Sequence, residues 1–393
     1  MLKSRKVTIV GAGVAGLALG RALALRGAEV DILEQADAIR EVGAGLQISP
    51  NGARVLHALG LGDALAEAGP EADGVEIREG ETGAILARLD LARRGEFRLL
   101  HRARLIDLLA TGAAEAGVSV RLRTKIAGVD TRDGRPVLRT EDGREESPDL
   151  LIGADGLHSR VRVALNGPHA PFFTHQVAWR GVIPVEDNAP AVPQVYVGPG
   201  RHLVSYPLGH GLRNVVAIEE RRRWVEESWY LRDDPAHLRD AFRGFCPRVQ
   251  GWLEQMDEPW LWGLFRHAVA ARWHGEGMAI LGDAAHPTLP FLAQGAVMAL
   301  EDAWVMADCL ARYDTDAAAL TAYQNARAPR CRALVEAANR NARNYHLSGM
   351  ARRVAHAALR TAAVVAPNQL LGRFDWVYTH DVTAPAPLPG RFP

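Results

Sequence analysis

Residues 7–10 (VTIV) form a β-branched run, 11–16 (GAGVAG) interrupt it with glycine, and 14–26 carry apolar side chains at helical spacing until Gly27. EVDILE at 29–34 follows as a second strand, so the first 34 residues predict a βαβ unit. Short alternating runs at 75–97 predict strands, 101–117 (HRARLIDLLATGAAEAG) an amphipathic helix, 118–123 another strand, and 126–151 a hairpin. Between 172 and 275 strand patterns dominate, interrupted by one helical stretch at 235–254. MAILGDAAH at 278–286 returns to a buried strand, and helices are expected at 296–312, 317–347 and 350–364. This order predicts an α/β unit with a mostly antiparallel sheet inserted into it. A proline-rich tail, 383–393, is expected to be mobile.

At 393 residues the chain is long enough for two or three domains. Lys and Arg number 46 and so do Asp and Glu, which argues against a globally basic nucleic-acid binder and against a polyacidic solvating chain. With 48% hydrophobic and 23% charged residues, a globular chain is expected rather than a disordered one. Cys246, Cys309 and Cys331 lie far apart without a CxxC pair, too few for a disulfide framework; a reducing cytoplasm fits, and the thiols read as small buried groups. The basic and apolar start superficially mimics a secretory leader but reads as a folding unit. No apolar run reaches the roughly 20 residues of a membrane span.

Candidate chemistry begins at Gly11, Gly13 and Gly16, a G-x-G-x-x-G between strand and helix, where backbone can approach a pyrophosphate at a helix N-terminus. Glu34 closes the second strand 23 positions after Gly11, the place of an acid that accepts from an adenosine ribose hydroxyl. That acid suits NAD or FAD rather than a 2′-phosphorylated nucleotide. Two further strand-to-helix turns follow: LLIGADGLHSRVR at 150–162, and MAILGDAAHPTLPFLAQGAVMALEDA at 278–303.

With three such motifs in this order, the chain resembles the FAD-dependent single-component (group A) aromatic hydroxylases, among them 3-hydroxybenzoate 6-hydroxylases, salicylate hydroxylases and 6-hydroxynicotinate 3-monooxygenases. HRARL, WRGVIP and DWVYTHD extend the likeness over nearly the whole chain. The resemblance implies a Rossmann-like FAD-binding domain (1–74, 98–165 and 276–334), an inserted β-sheet substrate domain (75–97 and 166–275), and a C-terminal helical segment and tail (335–393). It implies that Gly11, Gly13, Gly16 and Glu34 hold the ADP half of FAD, with Val14, Ala15, Gln35 and Gly45 also against the cofactor. Arg102 would reach the ribose or pyrophosphate, and Asp283 would accept from the ribityl chain. Asp155 and Gly156 would support the cofactor and NAD(P)H use, although Asp155 reads equally well as a helix cap. Pro290 would also lie against the cofactor, and Gly295, Ala296 and Val297 would place free N–H groups beside the N1/O2 edge of the reduced flavin. No second glycine fingerprint is present, matching transient use of NADH or NADPH. The implied chemistry is a flavin C4a-hydroperoxide, formed with O2, that hydroxylates an electron-rich ring.

Ring activation calls for a base. In GPGRHLVSYPL, His202 and Tyr206 are four residues apart on a predicted strand and share one face with Val204. The resemblance makes His202 the group that takes the phenolic proton; without it, a histidine on an ordinary sheet is the simpler reading. Gln294, Pro290 through its carbonyl, and Gln47 are further pocket candidates. Gln47 stands where hydroxynicotinate enzymes carry histidine and hydroxybenzoate 6-hydroxylases carry glutamine. Arg180 and Arg213 are the candidates for holding a carboxylate. His286 reads as structural, ERRRW at 220–224 as a solvated charge run, and no cluster has zinc spacing. The expected function is NAD(P)H-dependent hydroxylation of a small phenolic acid, hydroxybenzoates first, by a monomer or homodimer. The alternatives are tailoring of a larger quinone, phenazine or polyketide, and a flavin- or nucleotide-binding regulator without turnover.

Overall fold

Val7, Ile9 and Val10 are buried on strand Lys6–Val10, which lies between two parallel neighbours, Glu29–Leu33 and Leu151–Gly153. The computed structural model describes residues 2–39, 45–185, 189–222 and 231–384. Strand Met278–Ile280 continues the sheet beside Leu151–Gly153, Ser119–Arg121 closes the far side, and the short strand His274–Gly275 adds the one antiparallel edge. Strands covered on both faces read as continuous apolar runs, and VTIV, LLIG and MAIL are of that kind. Helix Val14–Ala24 is buried from Val14 through Leu23 and packs against helices Arg102–Glu115 and Gly295–Arg312. The C-terminal ends of Lys6–Val10, Leu151–Gly153 and Met278–Ile280 therefore open side by side, each into a glycine turn.

The second sheet has seven strands in the order Trp260–Arg266, Phe172–Pro184, Leu212–Glu220, Arg201–Gly209, Gln194–Gly198, Val75–Glu79 and Ile85–Leu89. All pairs are antiparallel except Gln194–Gly198 with Val75–Glu79. One face carries Trp179, Tyr196, Leu203 and Val215, packed against Phe242, Val249 and Leu253. The stretch 235–254, expected as one helix, is two: Pro235–Phe242 and Pro247–Glu254. Pro247 has no N–H to continue the first helix and forces Cys246 into extended backbone, so the chain turns there.

The C-terminal part is helical: Gly295–Arg312, the 30-residue Asp316–Tyr345, then Gly349–Val365, Pro367–Gly372 and Asp375–Tyr378. Helix Gly349–Val365 packs on edge strand Ile85–Leu89. All three cysteines are buried and free, and burial pushes the Cys309 thiol up to about 11. Among the described residues no helix is long and apolar enough to cross a membrane. Residues 223–224 of the charge run and 385–393 of the tail lie outside the described residues.

Candidate active site

A cavity of about 1470 Å³ runs from the glycine turns of the first sheet to the uncovered face of the second. Drug-sized ligand pockets occupy roughly 300–1,000 Å³, so this one has room for a dinucleotide and a second molecule together. Gly11 has φ +102° and lies against strand Leu151–Gly153, where a Cβ would stand 2.5 Å from the Ala154 carbonyl oxygen. Gly16 is tighter still, because a Cβ there would overlap the Gly11 carbonyl oxygen. Gly13 differs: a Cβ would meet nothing within 4 Å, because this residue faces the cavity. Gly11, Gly13, Val14, Ala15, Glu34, Gln35 and Gly45 line the cavity; Gly16 does not and serves the packing of helix on loop. Glu34 accepts from Ala12 N–H and Ala36 N–H, both at 2.8 Å, so its carboxylate shapes the turn while keeping lone pairs for hydroxyl donors.

At the second turn, Asp155 also lines the cavity, but its oxygens accept from the Ser159 hydroxyl and from Arg160 N–H at 2.7 Å. Asp155 thus supports the start of helix Arg160–Asn166, whose N-cap is Ser159, and burial raises its pKa. At the third turn Gly282 has φ +60° and donates to Asp302 at 3.0 Å, leaving Asp283 turned into the cavity. Asp283 is exposed to the cavity, and desolvation by the atoms around it raises its pKa. Helix Gly295–Arg312 begins beside it; Gly295 and Ala296 line the cavity, and their N–H groups have no intrahelical acceptor. Val297, by contrast, does not line the cavity: its side chain is fully buried, facing Gly52.

Beneath this turn lies a buried ionic network. Asp302 accepts from His286 at 2.5 Å and from Arg327 Nε at 2.7 Å, while Glu301 accepts from Arg330 at 2.9 Å and forms an ion pair with Arg327 at 2.7 Å. Both carboxylates are held down at about 2 by these cations, against the opposing effect of burial. His286 is therefore a structural partner of Asp302. His286, Asp302 and Cys331 could by distance hold a metal, but the Arg327 guanidinium already neutralises that carboxylate.

On the opposite wall His202, Val204 and Tyr206 all face the cavity from strand Arg201–Gly209, as the two-residue period requires. His202 is only 1% exposed, its ring packed edge-on to Phe291 and beside Tyr345, each 5.1 Å between centroids. Burial, and next the neighbouring His346, hold its pKa well below the usual imidazole value. Tyr206 is buried too, which raises its phenol pKa, and Gln47 lines the cavity with it. Arg180 lines the same cavity with its guanidinium over the Trp262 ring, 4.4 Å from the centroid. Its Nε has no hydrogen-bond partner, and no carboxylate pairs with it among the described residues. Desolvation, then the charge of Arg102, lower its pKa to about 10.

Two candidates are misplaced for substrate contact. Gln294 does not line the cavity; its amide accepts from Asn51 at 3.0 Å and donates to Ser49 at 2.8 Å, tying helix Gly295–Arg312 to helix Pro50–Ala58. Arg213 lies on the covered face of the sheet, over Trp252 and bonded to Ser205 at 3.1 Å, because residue 213 has the parity of Val215 rather than of Val216. Pro290 and Arg102 do line the cavity. Sequence reasoning missed His346, which sits 2.7 Å from His202 and 2.8 Å from Glu220; 144 positions separate the two histidines, so no local spacing announces the pair.

Among characterised proteins, the chain is 34% identical over 391 residues to a 3-amino-4-hydroxybenzoate 2-monooxygenase of Streptomyces platensis, covering 95% of each. It is 33% identical to a 3-hydroxybenzoate 6-hydroxylase of Klebsiella oxytoca, covering 90% of this chain and 92% of that one. Among solved structures, a Klebsiella pneumoniae HpxO variant complexed with FAD superposes with TM-score 0.84 at 25% identity, over 95% of this chain and 99% of the other. The family described as FAD binding domain matches residues 4–338. The three turns, the cavity they open on and these likenesses agree, and the chain belongs to the FAD binding domain family.

Proposed function

We propose that the protein uses NAD(P)H and O2 to hydroxylate the ring of a small phenolic acid of the hydroxybenzoate kind. The observation that carries this reading is the pairing, on one cavity wall, of a neutral buried imidazole with a guanidinium that lacks a carboxylate partner. The other wall fits FAD: Gly13 leaves open backbone for a pyrophosphate, Glu34 and Asp283 offer acceptors to hydroxyls, and Gly295 and Ala296 offer donors at a helix N-terminus. When bound, the flavin supplies acceptance of a hydride and transfer of one oxygen atom from O2. The two largest sheets support our division of the chain into an FAD unit (1–74, 98–165, 276–334) and a substrate unit (75–97, 166–275), except that strand His274–Gly275, just before the last boundary, pairs in the first sheet.

In this reading Arg180 binds the substrate carboxylate, since a desolvated guanidinium gains most from a bidentate anion. His202 Nε2, which has no partner among the described residues, takes the phenol proton. Tyr206 and Gln47 hold the ring oxygen side, and Phe291, Tyr345, Val216 and Ile218 keep water away. The relative named for 3-amino-4-hydroxybenzoate supports the same class. A larger aromatic is the second reading, favoured by one observation: the cavity continues to Ala355, Ala358, Leu359 and Ala362 under helix Gly349–Val365.

The deciding experiment incubates FAD-loaded protein with hydroxybenzoates, aminohydroxybenzoates, hydroxynicotinates, anthranilates and a polycyclic quinone. NAD(P)H oxidation is scored against peroxide release. Fast, coupled oxidation with a benzoate is expected; coupling with the quinone alone would select the second reading, and no coupled turnover with any would overturn both. Arg180→Gln should raise KM for the benzoate roughly thirtyfold or more, the cost of leaving one member of a buried charge pair alone. KM for the matching phenol without a carboxylate should change little. An unchanged benzoate KM would remove Arg180 from the site.

A further inference from the structure

His202 lies at the bottom of a closed wall, so a proton accepted there needs somewhere to go. Its Nδ1 stands 2.7 Å from His346 Nε2, and His346 Nδ1 stands 2.8 Å from Glu220 Oε1. Exposure rises along the series: the His346 side chain is buried, whereas that of Glu220 is 53% exposed. The three groups come from two strands and a helix end. Glu220 closes strand Leu212–Glu220, His202 belongs to the adjacent strand Arg201–Gly209, and His346 follows the last residue of helix Asp316–Tyr345. The fit of that helix end is reinforced by Gly200 N–H, which donates to the His346 carbonyl at 3.2 Å.

Hydrogen-bond logic fixes the direction of the chain. A carboxylate can only accept, so His346 Nδ1 carries the proton and its Nε2 is bare. The bare Nε2 must accept, which places the His202 proton on Nδ1 and leaves His202 Nε2 with a free lone pair toward the cavity. The exposed Glu220 carboxylate thus sets the tautomer of a ring two steps inside the protein.

We propose that His346 and Glu220 form a proton exit from the substrate pocket, with Glu220 also holding His202 in the tautomer that can act as base. This rests on the reading of His202 given above. The phenol O–H bond breaks as His202 Nε2–H forms, His202 Nδ1–H passes to His346 Nε2, and His346 Nδ1–H passes to Glu220, which releases it to water. Return of one proton along the same path to the product phenolate restores both tautomers, so one proton leaves and one returns per turnover. The other groups facing this path are Tyr345 from the helix end and Arg201 from the sheet, the latter 3.5 Å from Glu219. Arg201 opposes, and Glu220 favours, a positive charge on His346. His346 and Glu220 are positioning residues, because neither lines the cavity.

The test has two arms on FAD-loaded protein. In substrate-free parent enzyme, nitrogen-15 histidine NMR, assigned with His202→Gln and His346→Gln, should show both rings as Nδ1–H tautomers at neutral pH. In the second arm, His346→Gln and Glu220→Gln should keep their flavin and the KM of the best benzoate while hydroxylating about tenfold or more slowly, with a displaced acid limb of the pH profile. Added imidazole should restore part of the rate to His346→Gly. An Nε2–H tautomer at His202 would overturn the proposal. So would a His346→Gln enzyme with the parent's rate and pH profile while His202→Ala is impaired. An unimpaired His202→Ala would instead remove the base itself, and the exit with it.

Discussion

Gly13→Ala should fold as stably as the parent and fail to hold flavin, whereas Gly16→Ala should lose stability and flavin together. The difference follows from what each new methyl group meets. At Gly13 the backbone is extended, with φ −80° and ψ −172°, which alanine adopts without strain, and the space ahead is open cavity. The added carbon therefore costs the apoprotein little and stands where a pyrophosphate would approach the chain. At Gly16 the methyl overlaps the Gly11 carbonyl oxygen, a backbone atom that cannot swing aside without disturbing strand Lys6–Val10. Overpacking of this kind costs about 3 kcal/mol or more. Thermal melting of the apoproteins and the flavin absorbance of the purified proteins separate the two outcomes. Equal melting temperatures for parent and Gly16→Ala, or a yellow Gly13→Ala protein, would contradict the roles assigned to these glycines.

His202→Ala should retain FAD and lose most of its hydroxylation at neutral pH. Phenols of the tyrosine type ionise near pH 10, so without a base only about one molecule in a thousand is phenolate at pH 7, and a rate loss of about 10²–10³ is expected. The sign of the pH dependence should stay the same while its position moves to higher pH. In the parent, burial and His346 hold the His202 pKa below its ordinary 6.5, so the imidazole is neutral and competent at pH 7 and loses activity only on further acidification. In the variant the rate should climb with pH toward the ionisation of the substrate itself. Parallel pH profiles for the two enzymes would refute the assignment of His202 as base.

The glycine turns were legible because they are local: strand, turn and helix are contiguous in sequence, and Gly11, Gly13 and Glu34 need only a short reach to meet. The same locality made the shared face of His202, Val204 and Tyr206 readable from a two-residue period. Arg213 pairs opposite Pro207 and shares the covered face with Val215, a fact that needs the strand register and not the composition. Gln294 was misjudged for a different reason. Its partners Ser49 and Asn51 lie more than 240 positions away, and nothing near Gln294 in sequence says that its amide turns inward. The break before Pro247 was available to local reasoning, since the missing N–H of proline is a sequence fact.

Helix Asp316–Tyr345 carries Arg327, which anchors Asp302 beneath the third glycine turn, and delivers His346 beside His202. At 1.5 Å per residue it is a ruler about 28 Å long between these two points. Each residue also advances the helix by about 100°, so the ruler fixes an angle as well as a distance. Side-chain changes along 328–345 leave both settings intact, but the gain or loss of a single residue would rotate His346 away from Glu220 while Arg327 stayed in place. Chain length between the two anchors, more than the identity of the residues in it, is therefore the constrained quantity of this segment.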